Sequence, residues 1–148
     1  MNVSARAMSV LETVTVGLPF SAFKALFGLW CASVAGLNVL GVTLGLIALV
    51  DLGFNLVNLV SLAISGKRAV AICFVSWVLG RLRPTQKSDN LGAAIDTVFA
   101  FSLVAIAVGA GFLRTFAPLA LSAWNFAVVV NVLGAGLSRL ASELSPAS

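Results

Sequence analysis

Charged residues are scarce in this sequence: 9% of its 148 residues are Asp, Glu, Lys or Arg, whereas 60% are apolar. Soluble domains carry about 25% charged residues, because their surfaces face water. The nine basic and five acidic side chains present here are too few to cover a globular surface in water. Most of the surface is therefore expected to contact lipid or other apolar protein.

Histidine and tyrosine are absent, and cysteine is rare. Without histidine there is no imidazole to ligate haem, to hold a metal ion or to act as a general base. The two cysteines, Cys31 and Cys73, lie far apart in apolar stretches and form neither a CxxC pair nor a disulfide framework. We therefore expect no metal site and no enzymatic activity. Bound lipid, quinone or pigment stays open as a cofactor.

Long apolar runs take the place of charge. A helix needs about 20 apolar residues to cross the hydrocarbon core of a bilayer. The run between Lys24 and Lys67 contains one charged residue, Asp51, and is long enough for two crossings. A break is expected between Gly36 and Gly41. The sequence thus predicts an all-α integral membrane protein whose transmembrane domain, 18–137, is a four-helix bundle with spans at 18–37, 42–65, 91–113 and 119–137.

Three further segments complete the predicted organisation. Residues 1–17 have apolar residues at helical spacing, which indicates a surface segment with an amphipathic helix. Residues 69–80 are apolar but too short to cross a bilayer, so an interfacial or re-entrant helix is expected there. Residues 138–148 form a polar tail. The residues expected at the membrane interface around the short helix are Lys67, Arg68, Trp77, Arg81 and Arg83.

Basic residues indicate the orientation. With four spans, one side of the membrane carries Arg114 alone, and the other carries Arg6, Lys24, Lys67, Arg68, Arg81, Arg83, Lys87 and Arg139. Cytoplasmic loops are enriched in Lys and Arg, so both termini are expected on the cytoplasmic-type side. The expected location is an energy-transducing membrane, either a bacterial inner membrane or an organellar membrane derived from one. The basic residues are expected to contact anionic lipid headgroups rather than nucleic acid.

Small residues recur at helical spacing in the first two predicted spans. Gly28, Ala32 and Gly36 follow one another at four-residue steps, and Gly41 and Gly45 form a GxxxG pair. Small residues let membrane helices approach closely. These five residues are therefore predicted to pack helices together, within the bundle, against other transmembrane subunits or against a second copy.

A polar stripe marks the second predicted span. Asp51, Asn55 and Asn58 lie at positions i, i+4 and i+7, which share one helix face. A carboxylate near the middle of a membrane is costly and is a functional-site hypothesis by default. One interpretation is coupling to a proton or cation. The other is a structural hydrogen bond, or pairing with a basic residue of a partner.

Other intramembrane polar residues have simpler explanations. Asp96 is close in sequence to Arg83 and Lys87, so an interfacial salt bridge or a favourable charge at a helix N-terminus accounts for it. Asn125 and Asn131 are six residues apart and do not share a face cleanly. Each is predicted to form its own hydrogen bond between helices.

Two functions fit this sequence. The first is a non-catalytic accessory or structural subunit of a larger membrane complex, for which respiratory and photosynthetic assemblies are candidate hosts. It rests on short loops, small-residue ridges and the lack of a visible catalytic constellation. The second is a small homo-oligomeric transporter or channel that uses Asp51. Four helices are too few to surround a transport path, so this second function requires dimerisation.

Overall fold

The computed structural model describes residues 3–82 and 86–144, and in these two ranges every regular element is a helix. A π segment, Thr13–Gly17, lies between the first two helices, and a 3₁₀ turn, Phe112–Thr115, precedes the last. The six α-helices are α1 (Val3–Glu12), α2 (Leu18–Ser33), α3 (Asn38–Ser65), α4 (Phe74–Leu82), α5 (Gln86–Gly109) and α6 (Pro118–Leu144).

Three helical stretches in the described ranges are long and apolar enough to cross a membrane. They are Arg6–Ser33, Asn38–Ser65 and Leu91–Gly109. The predicted all-helical class is therefore confirmed, and the three long apolar helices support the prediction of a membrane protein. The apolar part of α6, Pro118–Gly134, is shorter than these three.

The first helix is longer than the sequence pattern indicated. α1, the π segment and α2 follow one another without a break, so the helical run that contains the predicted first span begins before Leu18, and residues 3–17 belong to it rather than to a separate element. Pro19 consequently lies inside the helical run. Proline has no N–H to donate to the carbonyl four residues earlier. That carbonyl belongs to Thr15, and it accepts a hydrogen bond from Asn131 Nδ2 of α6 at 3.0 Å.

α2 and α3 form a tight antiparallel pair. α2 ends at Ser33 rather than at 37, and α3 begins at Asn38 rather than at 42, because the turn lies just before the predicted break. Gly36 has a φ of +86° in that turn, which favours glycine. A Cβ atom placed on Gly41 would lie 2.6 Å from the carbonyl oxygen of Gly28 and would also clash with the backbone of Ala32. The small residues therefore let the two backbones meet.

Residues 66–73 run back along α3 instead of forming the start of the predicted helix 69–80. The carboxamide oxygen of Asn58 accepts the N–H groups of Ala69 and Val70, both at 3.1 Å. The N–H of Phe74, where α4 begins, then donates to Asp51 Oδ1 at 2.6 Å. Asp51 lies about 21 Å of helix from the end of α3, since each residue rises about 1.5 Å. Residues 66–73, which we call the re-entrant segment, thus run back along α3 as far as Asp51 before α4 begins.

The remaining boundaries differ from those predicted by a few residues. α5 spans Gln86–Gly109 instead of 91–113, because Gly111 adopts a φ of +73° and ends the helical run. α6 continues to Leu144, so most of the predicted polar tail 138–148 is helical, and its last four residues lie outside the described ranges. A hydrophobic core joins α2, α3, α5 and α6, and we call it the aromatic core because its largest buried members are Phe20, Phe23, Phe27 and Trp124.

We predict that Gly41→Ala destabilises the fold by about 1–3 kcal/mol, the usual cost of forcing an atom into a close-packed contact. Gly45→Ala is the matched control, because a Cβ there meets nothing within 4 Å, and alanine is the better helix former. Denaturation in detergent, followed by circular dichroism, measures both. Equal midpoints for the two variants would contradict the predicted contact.

Candidate functional site

Three charged side chains from three apolar helices meet inside the bundle. Lys24 of α2 donates through Nζ to Asp51 Oδ2 of α3 at 2.5 Å and also to Asp96 Oδ1 of α5. The relative exposures of Lys24, Asp51 and Asp96 are 0%, 1% and 6%. We call these three residues the charge cluster. It connects the three helical stretches that could cross a membrane.

The charge cluster is not electrically balanced when all three groups are ionised. One ammonium group then faces two carboxylates, which leaves one surplus negative charge in a buried site. An uncompensated buried charge is strongly unfavourable. The site is therefore chemically suited to take up a proton or a second cation.

Backbone and amide groups hold Asp51 in place. Its Oδ1 atom accepts the N–H of Phe74 at the N-terminus of α4, the end of a helix that favours negative charge. Asn55 Nδ2 donates to the backbone carbonyl of Asp51 at 2.8 Å and lies 3.5 Å from the hydroxyl oxygen of Ser21. Asp51 is thus fixed by its own helix, by Lys24 and by the re-entrant segment.

Two glycines make room for side chains near the cluster. A Cβ atom on Gly17 would lie 2.7 Å from Cγ of Asn55, and one on Gly134 would lie 2.5 Å from Cγ2 of Thr15. Gly17 lets Asn55 pack against the π segment, and Gly134 lets α6 approach the same segment. Neither glycine stands out in the sequence, because the helices they contact are distant along the chain.

A cavity of about 60 Å³, lined by both polar and apolar residues, adjoins the charge cluster. Asp51 and Asp96 line it together with Asn55, Thr13 and Thr97. Its lining also includes Glu12 and Arg68, whose side chains are partly exposed and form an ion pair at 2.5 Å. A cavity needs about 10–15 Å³ to hold one water molecule. Water thus has room between this exposed ion pair and the two buried carboxylates.

Cys73 also lines the cavity, between the re-entrant segment and α5. Burial raises the pKa of its thiol, and the negative charge of Asp96 raises it further. A hydrogen bond with Ser76 acts in the opposite direction. Cys31 is free and buried like Cys73, but it belongs to the aromatic core.

The residues of the polar stripe predicted on the second span make two separate sets of contacts. Asp51, Asn55 and Asn58 all lie on the buried face of α3. Asp51 and Asn55 belong to the region of the charge cluster. Asn58 instead binds the backbone of residues 69–71, to which it also donates through Nδ2 at 3.2 Å.

The residues expected at the membrane interface differ in exposure and in contacts. Lys67, Trp77 and Arg81 are exposed, and the guanidinium carbon of Arg81 lies 5.6 Å from the centre of the Trp77 ring. Arg68 pairs with Glu12 and lines the cavity. Arg83 lies outside the described residues.

Two members of the charge cluster, Lys24 and Asp96, are not recognised as partners of Asp51 from the sequence alone. A first span that begins at Leu18 places Lys24 near the end of that span. Lys24 is therefore predicted to lie on the inner side of the membrane. Asp96 was assigned to an interfacial pair with Arg83 or Lys87, but it pairs with Lys24. The sequence signal for this pairing is the presence of single charges of opposite sign in separate apolar runs. Their pairing becomes evident only when the helices are packed.

No group of His, Cys, Asp and Glu side chains in the described ranges is arranged to hold a metal ion. Comparison with protein-family models, with curated proteins and with solved structures found no match.

We predict that Lys24→Met destabilises the protein by about 3–5 kcal/mol, because it leaves two buried carboxylates without their cation. Asp51→Asn and Asp96→Asn should cost less, since each leaves one positive and one negative group. Lys67→Met is the control, because Lys67 is exposed. The free energy of unfolding in detergent provides the measurement. A Lys24→Met protein as stable as wild type would show that the cluster is not the major contact between these helices.

We also predict that Asp96→Asn speeds alkylation of Cys73 in a Cys31→Ser background. Removing the negative charge lowers the pKa of the Cys73 thiol, so a larger fraction is thiolate at a given pH. The rate with a small neutral reagent such as iodoacetamide is measured at fixed pH, with Ser102→Ala as the control. An unchanged or slower rate in Asp96→Asn would contradict the proximity of the two groups.

Proposed function

We propose that this protein is a small membrane transporter or channel component that takes up and releases protons at the Lys24–Asp51–Asp96 cluster. The observation that carries the proposal is that two buried carboxylates share one ammonium group beside a cavity that also reaches a partly exposed ion pair. Such a site changes its net charge when a proton enters or leaves. Ionisable residues of this kind inside membrane proteins commonly belong to proton or ion pathways.

Access to the cluster is proposed from one side. The cavity leads toward Glu12 and Arg68, near the start of the first helical run. Toward the other end of α2, Trp30 stacks on Phe112 with ring centres 3.6 Å apart, and Phe27 packs beside them. The aromatic side chains therefore separate the cluster from that end. A site that opens to one side at a time is what alternating access requires.

The re-entrant segment supports the same proposal. Irregular backbone at membrane depth is tolerated where protein or a water-filled cavity surrounds it. Transport proteins use the N-termini of broken helices near their binding sites. Here the N-terminus of α4 meets Asp51, and Cys73, the residue before it, lines the cavity.

We propose that α6 is a fourth crossing and that both termini lie on the cytoplasmic-type side. Arg6 donates to the carbonyl of Ala63 at 2.5 Å, so the start of the chain lies beside the end of α3. Trp30 Nε1 donates to Thr115 Oγ1 at 3.0 Å at the opposite end of the bundle. Arg6 and Arg68 therefore lie at one end and Arg114 lies at the other, even after Lys24 is removed from the charge count. The proposed location remains a bacterial inner membrane or an organellar membrane derived from one.

An accessory subunit of a larger complex is the second candidate. The sequence favours this role partly because it shows no catalytic constellation of residues. The charge cluster weakens that support. Large apolar side chains exposed along α3, such as Leu46, Leu49 and Val60, favour it, because other subunits as well as lipid would cover them. Copurification with other polypeptides after gentle extraction would support this role.

Proton movement in proteoliposomes tests the first candidate. The purified protein is reconstituted in vesicles that contain a pH-sensitive dye, and a pH gradient is imposed with and without added metal cations. Wild type should dissipate the gradient faster than empty vesicles, and Asp51→Asn and Asp96→Asn should reduce that rate at least tenfold.

Ser102→Ala is the control for this experiment. Ser102 is exposed on α5 and bonds only to a carbonyl of its own helix, so its removal should leave the flux intact. A wild-type rate equal to that of empty vesicles under every condition would refute the proposal. Equal rates for wild type and both aspartate variants would refute the assignment of the site.

A further inference from the structure

α6 has two distinct faces. One consists of Trp124, Ala127, Asn131 and Gly134, all of which are buried against the rest of the bundle. The other, which we call the outer seam, consists of residues exposed in the single chain: Ser122, Asn125, Val129, Val132 and Gly136. Both faces follow alternating steps of three and four residues, which is the spacing of helix-pairing positions.

Asn125 is an unusual residue for an exposed face of α6, an inference that rests on the proposed membrane crossing by this helix. It lies near the centre of the apolar stretch Pro118–Gly134, and its side chain forms no hydrogen bond with the described part of the chain. Its neighbour Phe126 is 71% exposed, as expected of a side chain in lipid. Asn131, by contrast, is buried and donates to Thr15. A carboxamide in hydrocarbon without a partner is unfavourable.

We propose that the outer seam is the contact between two copies of this chain. Lipid tails offer no hydrogen-bonding group at this depth, so the partner of Asn125 has to come from protein. Two copies inserted in the same orientation are related by a two-fold axis along the membrane normal. Their α6 helices then run parallel, and each seam residue meets its own equivalent at the same depth.

The composition of the outer seam fits this self-association. A carboxamide both donates and accepts hydrogen bonds, so Asn125 is complementary to the same residue of a second copy. Branched side chains such as Val129 and Val132 suit the pairing positions of parallel helix dimers. Ser122 and Gly136 are small enough for the helices to approach closely. The seam lies opposite the buried face of α6, so pairing requires no rearrangement within the bundle.

Cysteine crosslinking in native membranes tests the seam directly. In a Cys31→Ala, Cys73→Ser background, single cysteines replace Asn125, Val132, Phe126 or Leu133. All four positions are exposed, but only the first two belong to the seam. Mild oxidation should link Asn125→Cys and Val132→Cys into dimers of this chain at least fivefold more than the two flanking variants. Preferential linkage at 126 and 133, or linkage to a different polypeptide, would overturn the proposal.

The affinity of the dimer tests the role of the Asn125 amide without the added cysteines. Energy transfer between labelled copies is measured in vesicles at increasing lipid-to-protein ratios. Asn125→Leu should weaken association by about tenfold, an effect within the range of polar contacts between membrane helices. Asn125→Gln should retain most of it. Ser102→Leu, an exposed polar-to-apolar change on α5, should have no effect.

Two results would refute the dimer: a wild-type chain that is monomeric at every dilution, or an Asn125→Leu variant that associates as tightly as wild type. The unfolding midpoint of each variant identifies any that fails to fold. Neither test depends on proton movement.

Discussion

The contact between Lys24 and the carboxylates of Asp51 and Asp96 is the interaction on which this structure depends. It joins α2, α3 and α5 at one point inside the bundle. Lipid provides little drive for helices to associate, so buried polar contacts and close packing must supply it. The same contact places two carboxyl groups against one ammonium group beside a cavity, and it therefore serves both the packing and the proposed chemistry.

A second constraint is that buried backbone groups require partners. Asn58 and Asp51 accept the N–H groups of the re-entrant segment, and Asn131 donates to the carbonyl of Thr15. Each of these polar side chains allows an irregular stretch of backbone that lipid would not tolerate. Where backbones or side chains approach closely, as at Gly41 and Gly17, the residue that allows it is glycine. Asn125 is a polar residue of α6 that these internal contacts do not include, which is why it indicates a second copy.

The stripe of Asp51, Asn55 and Asn58 could be predicted from the sequence, because the positions that share one face of a helix recur with a known period. Lys24 and Asp96 were not recognised as its partners, since contacts between helices depend on packing and depth. The break between the first two spans was found to within a few residues from its glycines. The continuous first helix was not, because its irregularity at Pro19 is compensated by Asn131, 112 residues further along the chain.

The sequence by itself determined that this is a helical protein with apolar spans, because apolar length and the scarcity of charge depend on composition alone. It also determined which side chains are energetically unfavourable inside a membrane, and Asp51 is the clearest example. Only the tertiary structure decided what meets that cost: Lys24, the N–H of Phe74 and a cavity bounded by Glu12 and Arg68. The physical reason is that the period of a helix predicts which residues share a face. Which faces meet is decided by the close packing of all the helices together.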